Sequence, residues 1–300
     1  MNASNILLLI IATQALFASV NLAYDDSENA LKSQNVLSKS EIVQLNGAIG
    51  PESVAFDPNG EGPYIGVADG RILKFQGSSW ADFAVTSSQR ENCTLPFAPE
   101  MEHICGRPLG LRFDTKTGEL YIADAYFGLQ VVGPKGGLAT PLVQKLEGKP
   151  LVFTNDVDID DHDDVIYFMD TSTRYWLKGP LEGTHDTFAE LPGFPDNIKI
   201  NSKGEFWVAL QAVRSQLSFS NSEMGNALLK LPFIVQQLDD LLSGGLLHAT
   251  AIKLSEDGRV LEVLEDIEGK TLRSISEVQE KYGKLWFGSV MMPFLGLYGF

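Results

Sequence analysis

Oxygen-bearing side chains recur at the same point of three separate stretches of the chain. Glu52 lies in GPESVAFD, Asn155 in FTNDVDID, and Asp196 and Asn197 in GFPDNIKI. Carboxylate and amide oxygens contributed by several strands are what a hard cation such as calcium binds, and no Cys or His cluster competes. Taken singly, each residue would be expected to cap a turn and bond nearby backbone. Their recurrence at one place favours a cation site.

The stretches that carry these residues share one plan. Each is a short alternating strand, a turn of Asp, Asn, Gly or Lys, and a second apolar strand. The plan occurs at 50–75, 106–132, 153–172, 194–210 and 273–290. Recurring hairpins with further strand-like runs between them predict an all-β fold, a β-propeller whose inner strands converge on a central channel. Such a channel would gather the oxygen-bearing side chains.

Helical signal is scarce. The stretch at 231–245, LPFIVQQLDDLLSGG, has apolar residues at helical spacing and a Gly stop. We expect this helix to lie outside the propeller as a packing or lid element without chemistry of its own.

The net charge of the chain limits the classes of molecule that it is expected to bind. The 300 residues carry a formal net charge of -16 and are 44% hydrophobic, enough to bury a full core. A strongly acidic surface repels phosphate, so nucleic acids and anionic membranes are not expected as partners. A small-molecule substrate fits the charge better.

The first residues have the form of a secretory signal peptide. An apolar run from Ile6 to about Phe17 is too short to span a bilayer comfortably, and small and polar residues follow it. We assign 1–23 to the signal peptide, 24–40 to an N-terminal extension and 41–300 to the propeller domain. Because the start of the chain lacks Lys and Arg, a short membrane anchor is the alternative.

Two features fit an oxidising compartment. Cys93 and Cys105 are the chain's two cysteines, and a lumenal protein would oxidise a pair that can meet, so a disulfide-closed loop is expected. Asn92 begins the triplet NCT, an acceptor sequence for N-glycosylation that becomes usable in the secretory pathway.

Five longer stretches resemble one plant family in the right order. They are GRPLGLRFD, ELYIADAYFGLQVVG, GKPLVFTNDVDID, ELPGFPDNIKINSKGEFWV and ISEVQEKYGKLWFGSVMMPFLGLY. The chain is similar over nearly everything after about residue 40 to the strictosidine synthase-like proteins, related to calcium-dependent lactonases and arylesterases. The resemblance implies a six-bladed propeller in the secretory pathway, in the vacuole, the endoplasmic reticulum lumen or outside the cell.

The chain departs from this family at 168–184, FMDTSTRYWLKGPLEGT. In the family, four further strands separate the segments that here meet at Tyr175 and Trp176, so about one blade is absent. We expect a five-bladed propeller or an incomplete six-bladed one. The alternative is an artefact of splicing or gene assembly, because broken closure would expose sheet edges.

The resemblance assigns the metal ligands. It implies that Glu52, Asn155, Asp196 and Asn197 hold calcium, while one further amide ligand of the hydrolase relatives falls in the absent blade. Hydrolysis of a small ester or lactone follows from such a site, since a cation polarises a carbonyl and stabilises an oxyanion. Asp196 is the candidate general base, since none of the four histidines matches the base of the relatives.

The resemblance leaves two alternatives. A strictosidine synthase condenses an amine with an aldehyde in alkaloid biosynthesis and needs a pocket carboxylate to move protons. Here Ser276 takes the position of that catalytic Glu, and Glu277 should face the other side of the strand. The other alternative is a propeller that binds a ligand without turnover, with Tyr126 and Phe127 lining its pocket.

Overall fold

The computed structural model describes residues 33–91, 93, 99–146, 148–151, 153–160, 165–170, 191–213 and 248–299. From Ser33 onward the chain forms one compact unit. Its described part is built from strands, with short helical turns at Leu37–Lys39 and Pro99–Met101 and one turn of α-helix, α1, at Glu102–Cys105. The predicted all-β class is therefore confirmed. The described residues do not include the predicted helix at 231–245, Asn92, the signal peptide or the junction at Tyr175.

The strands of the described residues form five main sheets in chain order. Sheet 1 contains β2 (Val54–Ala55), β3 (Tyr64–Gly66), β4 (Arg71–Phe75), β5 (Trp80–Val85) and β9 (Gly137–Leu138). Sheet 2 contains β6 (Pro108–Phe113), β7 (Leu120–Asp124), β8 (Gly128–Val132) and β10 (Thr140–Val143). Sheet 3 contains β13 (Thr154–Asp160) and β14 (Val165–Asp170).

The remaining strands complete the series. Sheet 4 contains β15 (Gly193–Ile200), β16 (Phe206–Val213), β17 (Ala249–Leu254) and β18 (Val260–Asp266). Sheet 5 contains β19 (Glu277–Lys281), β20 (Lys284–Gly288), β21 (Phe294–Gly299) and β1 (Glu41–Gln44). A small hairpin of β11 (Lys145–Leu146) and β12 (Lys149–Pro150) lies between sheets 2 and 3 in sequence.

Successive sheets pack through their inner strands. The strand β2 contacts β6, β6 contacts β13, β15 contacts β19, and β19 contacts β2. Sheets 3 and 4 meet through polar side chains, because Asn155 of β13 donates a hydrogen bond to Asp196 of β15. The sheets are antiparallel meanders, apart from the parallel pairing of β9 with β5. Together they form the predicted propeller, and the described residues contain five of its sheets.

The last sheet is completed by the first described strand. β1 pairs antiparallel with β21, with Glu41 opposite Leu297 and Gln44 opposite Phe294. A strand from the start of the domain therefore covers the outer edge of the sheet formed by its end, a form of closure that protects a sheet edge.

The core lies between the sheets, as the alternation of apolar residues requires. Between sheets 1 and 2 the fully buried side chains include Ile72, Leu120 and Ile122. Between sheets 4 and 5 they include Trp207 and Phe287. Each strand thus contributes one apolar side chain in two to the layer beside it.

The segment before β1 also packs on the fold. Gln34 joins the edge strand β18, since its N–H donates to Val263 and its carbonyl accepts from Glu265. Leu37 is fully buried in the core beside sheet 4. Part of the predicted N-terminal extension therefore belongs to the compact unit.

The predicted disulfide is confirmed. Cys93 and Cys105 are bonded, with 5.6 Å between their Cα atoms, and neither is exposed. The bond ties the segment after β5 to the end of α1, next to the start of β6. Among the described residues, no helix is long and apolar enough to cross a membrane.

Candidate functional site

The predicted ligands lie together at the inner strands. Asn155 Nδ2 donates to Asp196 Oδ1 at 3.1 Å and lies 3.3 Å from Asn197 Oδ1. Asn197 Nδ2 in turn lies 3.4 Å from Glu52 Oε1. The four residues, which we call the inner cluster, come from the segment before β2 and from sheets 3 and 4, and they form one hydrogen-bonded group.

Two β-bulges explain how consecutive residues reach the same place. The pairing of β13 with β14 shifts register between Thr154 and Asp156, which gives β13 an extra residue at Asn155. The pairing of β15 with β16 shifts between Pro195 and Ile198, where Asp196 and Asn197 lie. A bulge interrupts the alternation of side chains and re-aims them, and bulges are common next to functional sites.

Glu52 has a buried oxygen without a donor. Its side chain is fully buried, and its Oε2 atom has no hydrogen-bond partner. Burial raises the pKa of Glu52 well above its usual value, and the charge of Asp196 acts in the same direction, while Arg107 opposes the shift. A buried carboxylate oxygen of this kind is costly unless it meets a donor or a cation.

Asp196 has a shifted pKa as well. Burial raises it to about 7, and the charges of Asp156 and Glu277 add to this effect, while the hydrogen bond from Asn155 opposes it. A carboxyl group that titrates near neutral pH can both accept and release a proton under physiological conditions.

A buried ion pair that the sequence did not predict lies beside the inner cluster. Lys199 Nζ lies 2.8 Å from Asp156 Oδ1 and 3.3 Å from Glu277 Oε2, and all three side chains are buried. Lys199 follows Asn197 by two positions, so strand periodicity puts both on one face of β15. This two-residue periodicity could have predicted from the sequence that Lys199 lies beside the inner cluster.

Ser276 and Glu277 are both part of this region. Ser276 Oγ donates to the carbonyl of Glu52 at 3.1 Å, while Glu277 Oε2 accepts from Asn197 Nδ2 at 3.1 Å. Glu277 also accepts from the backbone N–H of Val54 at 2.7 Å and from the Ser53 hydroxyl at 2.8 Å. The carboxylate one position after Ser276 is thus held firmly among strand ends.

A glycine permits the close packing of this region. A Cβ atom at Gly288 would lie 2.1 Å from the carbonyl oxygen of Glu52, closer than real contacts allow. Sheet 5 can therefore approach the segment that carries Glu52 only with glycine at this position.

Tyr126 and Phe127 lie in the turn from β7 to β8. Their N–H groups donate to Asp124, and the Tyr126 hydroxyl donates to Glu102 of α1 at 3.2 Å. Tyr126 is 46% exposed, and Glu102 lies 3.7 Å from Arg107. Arg107 donates to the carbonyl of Gly50, which connects this turn to the segment of Glu52.

No described histidine belongs to the inner cluster. His103 is exposed and contacts the carbonyl of Glu100, and His248 lies 3.8 Å from Glu265. His162 and His185 lie outside the described residues. Within the described ranges, no group of three or more His, Cys, Asp and Glu side chains is arranged to hold a metal ion. The inner cluster differs in combining two carboxylates with two amides.

The fold and this cluster define a β-propeller with a buried, acid-rich group where its inner strands meet. Comparison with known proteins gives the family. The chain belongs to the strictosidine synthase-like family. Residues 31–75 match the family model described as "Strictosidine synthase-like, N-terminal".

Several Arabidopsis thaliana proteins are close relatives. The chain is 52% identical to STRICTOSIDINE SYNTHASE-LIKE 10 over 334 residues, which covers 89% of each chain. It is 43% identical to STRICTOSIDINE SYNTHASE-LIKE 3, with 88% of this chain and 86% of the relative covered.

Two solved structures show a weaker likeness. One is a gluconolactonase from Xanthomonas campestris, with 14% identity, a TM-score of 0.47, and 91% and 93% of the two chains covered. The other is a putative gluconolactonase, with 16% identity, a TM-score of 0.45, and 86% and 92% covered. Likeness at this level adds nothing to the assignment of an activity.

Proposed function

We propose that the protein is a metal-dependent hydrolase that acts on a small ester or lactone. The observation that carries this proposal is the Glu52 carboxylate, fully buried with Oε2 unpartnered, beside Asp196 and two amides. Such an oxygen fits a bound cation better than it fits a purely structural role.

The donor set fits calcium. Glu52 and Asp196 supply carboxylate oxygens, and Asn197 Oδ1 points towards Asn155 and away from Glu277. The Asn155 amide can turn to present its oxygen in place of the nitrogen that now contacts Asp196. Calcium accepts irregular sets of such oxygens, and water can complete them.

The residues suggest a division of roles. A cation held by the inner cluster would polarise the substrate carbonyl. Asp196, which accepts a hydrogen bond from Asn155 within the cluster, would take a proton from the attacking water, so it would serve as ligand and base together. Burial of Glu52, Asn155 and Asn197 limits how far bulk water weakens these charges.

The condensing reaction of a strictosidine synthase fits less well. It needs a carboxylate free to exchange protons with an amine, and Ser276 takes that position here. Glu277 is close, but its two oxygens are bound by Val54, Ser53, Asn197 and Lys199. A carboxylate held in this way is poorly placed to serve as the proton shuttle.

The proposed location is the secretory pathway, with the vacuole or the endoplasmic reticulum lumen as the destination. The disulfide supports it, since such bonds persist in oxidising compartments. Glycan on Asn92 would support it further, and peptide mapping of the protein purified from plant tissue would detect that glycan.

A hydrolysis screen tests the proposal. Purified protein would be assayed on aryl esters and on five- and six-membered lactones, in calcium chloride or in chelator. We expect turnover in calcium that is lost in chelator and in Glu52→Gln. The matched control is Glu268→Gln, an acid on the surface with 59% of its side chain exposed. Stabilisation by a ligand without turnover of any substrate would favour the non-catalytic binding alternative.

A further inference from the structure

Lys199 lies between carboxylates of two neighbouring sheets. It belongs to β15 of sheet 4, Asp156 to β13 of sheet 3, and Glu277 to β19 of sheet 5. The ammonium nitrogen is 2.8 Å from Asp156 and 3.3 Å from Glu277, and the side chains are 7%, 9% and 0% exposed. One positive charge thus connects three successive sheets of the propeller.

The ion pairs compensate charges that the fold could not otherwise bury. The Lys199 ammonium lies within ion-pair distance of both Asp156 and Glu277, and all three side chains are at least nine-tenths buried, so the fold buries one positive charge together with the two carboxylates. Removing one member of such a buried group leaves an uncompensated charge, which is strongly destabilising. Replacing Lys199 by an apolar residue therefore lowers stability, unless another cation binds or one of the two carboxylates is removed as well.

The same contacts orient an amide of the inner cluster. Glu277 Oε2 lies 3.3 Å from Lys199 Nζ and also accepts from Asn197 Nδ2 at 3.1 Å. Because the nitrogen side of Asn197 faces Glu277, its oxygen faces Asn155 at 3.3 Å. The ion pair thus fixes which atom of Asn197 a cation would meet.

We infer that Lys199 is a built-in cation that occupies the place between Asp156 and Glu277 where a divalent cation would otherwise bind. It neutralises Asp156 and Glu277, holds three inner strands together, and restricts the centre to one exchangeable divalent cation. The expectation that the wild type binds one exchangeable divalent cation rests on the proposed function. The charge-compensating role of Lys199 does not depend on it.

The test is Lys199→Met in the full chain, with calcium chloride as the probe. In chelator we expect a melting temperature roughly 10 °C below that of the wild type, because a buried ion pair is broken. Calcium should restore most of this loss. Isothermal titration should give one more bound calcium in the variant than in the wild type, because Asp156 and Glu277 become free to hold it.

Two further variants separate charge from shape. Lys199→Arg keeps the charge and should bind the same number of calcium ions as the wild type. The double variant Asp156→Asn, Lys199→Met removes one charge of each sign, so it should fold in chelator and gain no calcium. If Lys199→Met fails to fold, recovery of folding in the double variant still supports the inference.

The outcomes distinguish this inference from the proposed function. If Lys199→Met binds no more calcium than the wild type and calcium does not restore its stability, the inference is wrong. A double variant that fails to fold together with Lys199→Met also overturns it. If the wild type binds no calcium but Lys199→Met binds one, the proposed metal site fails and the role of Lys199 stands.

Discussion

At the scale of single residues, Glu52 combines complete burial with an oxygen that has no hydrogen-bond partner in the described part of the chain. A carboxylate in this state raises the free energy of the folded protein, and Asp196 adds like-charge repulsion. A bound cation offsets this cost, because it gives the unpartnered oxygen of Glu52 a partner and attracts both carboxylates.

Replacing Glu52 should therefore have opposite effects with and without calcium. In chelator, Glu52→Gln should melt no lower than the wild type, because a neutral amide avoids the cost of burying a carboxyl group whose pKa is raised by burial. In calcium at one hundred times the dissociation constant, the wild type should melt about 5 to 10 °C higher, while Glu52→Gln and Asp196→Asn should show no rise. Differential scanning fluorimetry measures both effects. A wild-type curve that is the same in calcium and chelator would exclude the cation site.

A second residue-scale prediction concerns Ser276. The protein should not condense tryptamine with secologanin, because a hydroxyl bonded to the Glu52 carbonyl cannot shuttle protons as a carboxylate does. Ser276→Glu is the substitution most able to create a trace of product. Chromatography of the reaction against a boiled control gives the answer, and product from the wild type above that control would refute the assignment.

At the scale of elements, the short helix α1 and the segment before it depend on one covalent bond. Cys105→Ser should lower the free energy of unfolding by roughly 3 kcal/mol, as expected for a loop of this length. Chemical denaturation with and without a reductant measures the loss. Reductant should shift the wild type towards the variant and leave the variant unchanged. A wild type with both thiols free in peptide mapping would contradict the bond.

The contact between sheets 4 and 5 also depends on a charged side chain. Glu280 accepts from Trp207 Nε1 at 2.8 Å and from Asn201 Nδ2 at 2.9 Å. Burial by itself would raise the pKa of Glu280, but these hydrogen bonds outweigh burial and lower it. Since the folded protein holds the charged form more tightly, the stabilisation is present above the unfolded pKa and lost as pH falls through the folded one.

We therefore expect Glu280→Gln to cost about 1 to 3 kcal/mol at pH 7 and less below pH 4. Urea denaturation of both proteins across this pH range measures the difference. The exposed pair of Asp257 and Arg259 provides the control, since Asp257→Asn should change little. An equal cost of Glu280→Gln at all pH values would show that the charge of Glu280 contributes nothing.

The elements also show how far the sequence could predict the site. The hairpins of the propeller follow from alternation. The family resemblance, supported by the recurrence of oxygen-bearing side chains, predicted that Glu52, Asn155, Asp196 and Asn197 would lie together, and these residues form one hydrogen-bonded group. Strict alternation did not predict that Asn155 and Asp156 both take part, because that depends on a bulge in β13. Bulges are set by pairing with another strand, which local sequence does not encode.

At the scale of the whole molecule, the alignment with the first Arabidopsis relative supports the expected shortening. It runs over 334 positions yet takes in 89% of this chain, about 267 of 300 residues, so roughly 67 positions are gaps in this chain. The total length of these gapped positions is comparable with that of the one blade expected to be absent.

The pairing of β1 with β21, which closes the last sheet, should be essential for the stability of the folded protein. A chain that starts after Leu45 would lack the strand that pairs with β21 and would expose that edge of sheet 5. We expect such a truncation to aggregate or to melt well below the longer protein. Size-exclusion chromatography and melting curves test it against a chain that starts at Ser33. A truncated protein that stays monomeric with an unchanged melting temperature would show that closure is dispensable.

The pairing of β1 with β21 has a consequence for biosynthesis. Gln44 meets Phe294 only after 250 further residues have left the ribosome, so the strand made first waits longest for its partner. Contacts so distant in sequence slow folding, and the waiting strand is open to wrong pairings in the meantime. The nascent protein should therefore remain bound to chaperones until its last hairpin emerges, and pulse-chase immunoprecipitation with the Hsp70 of the compartment where it folds would show release only after synthesis of β21.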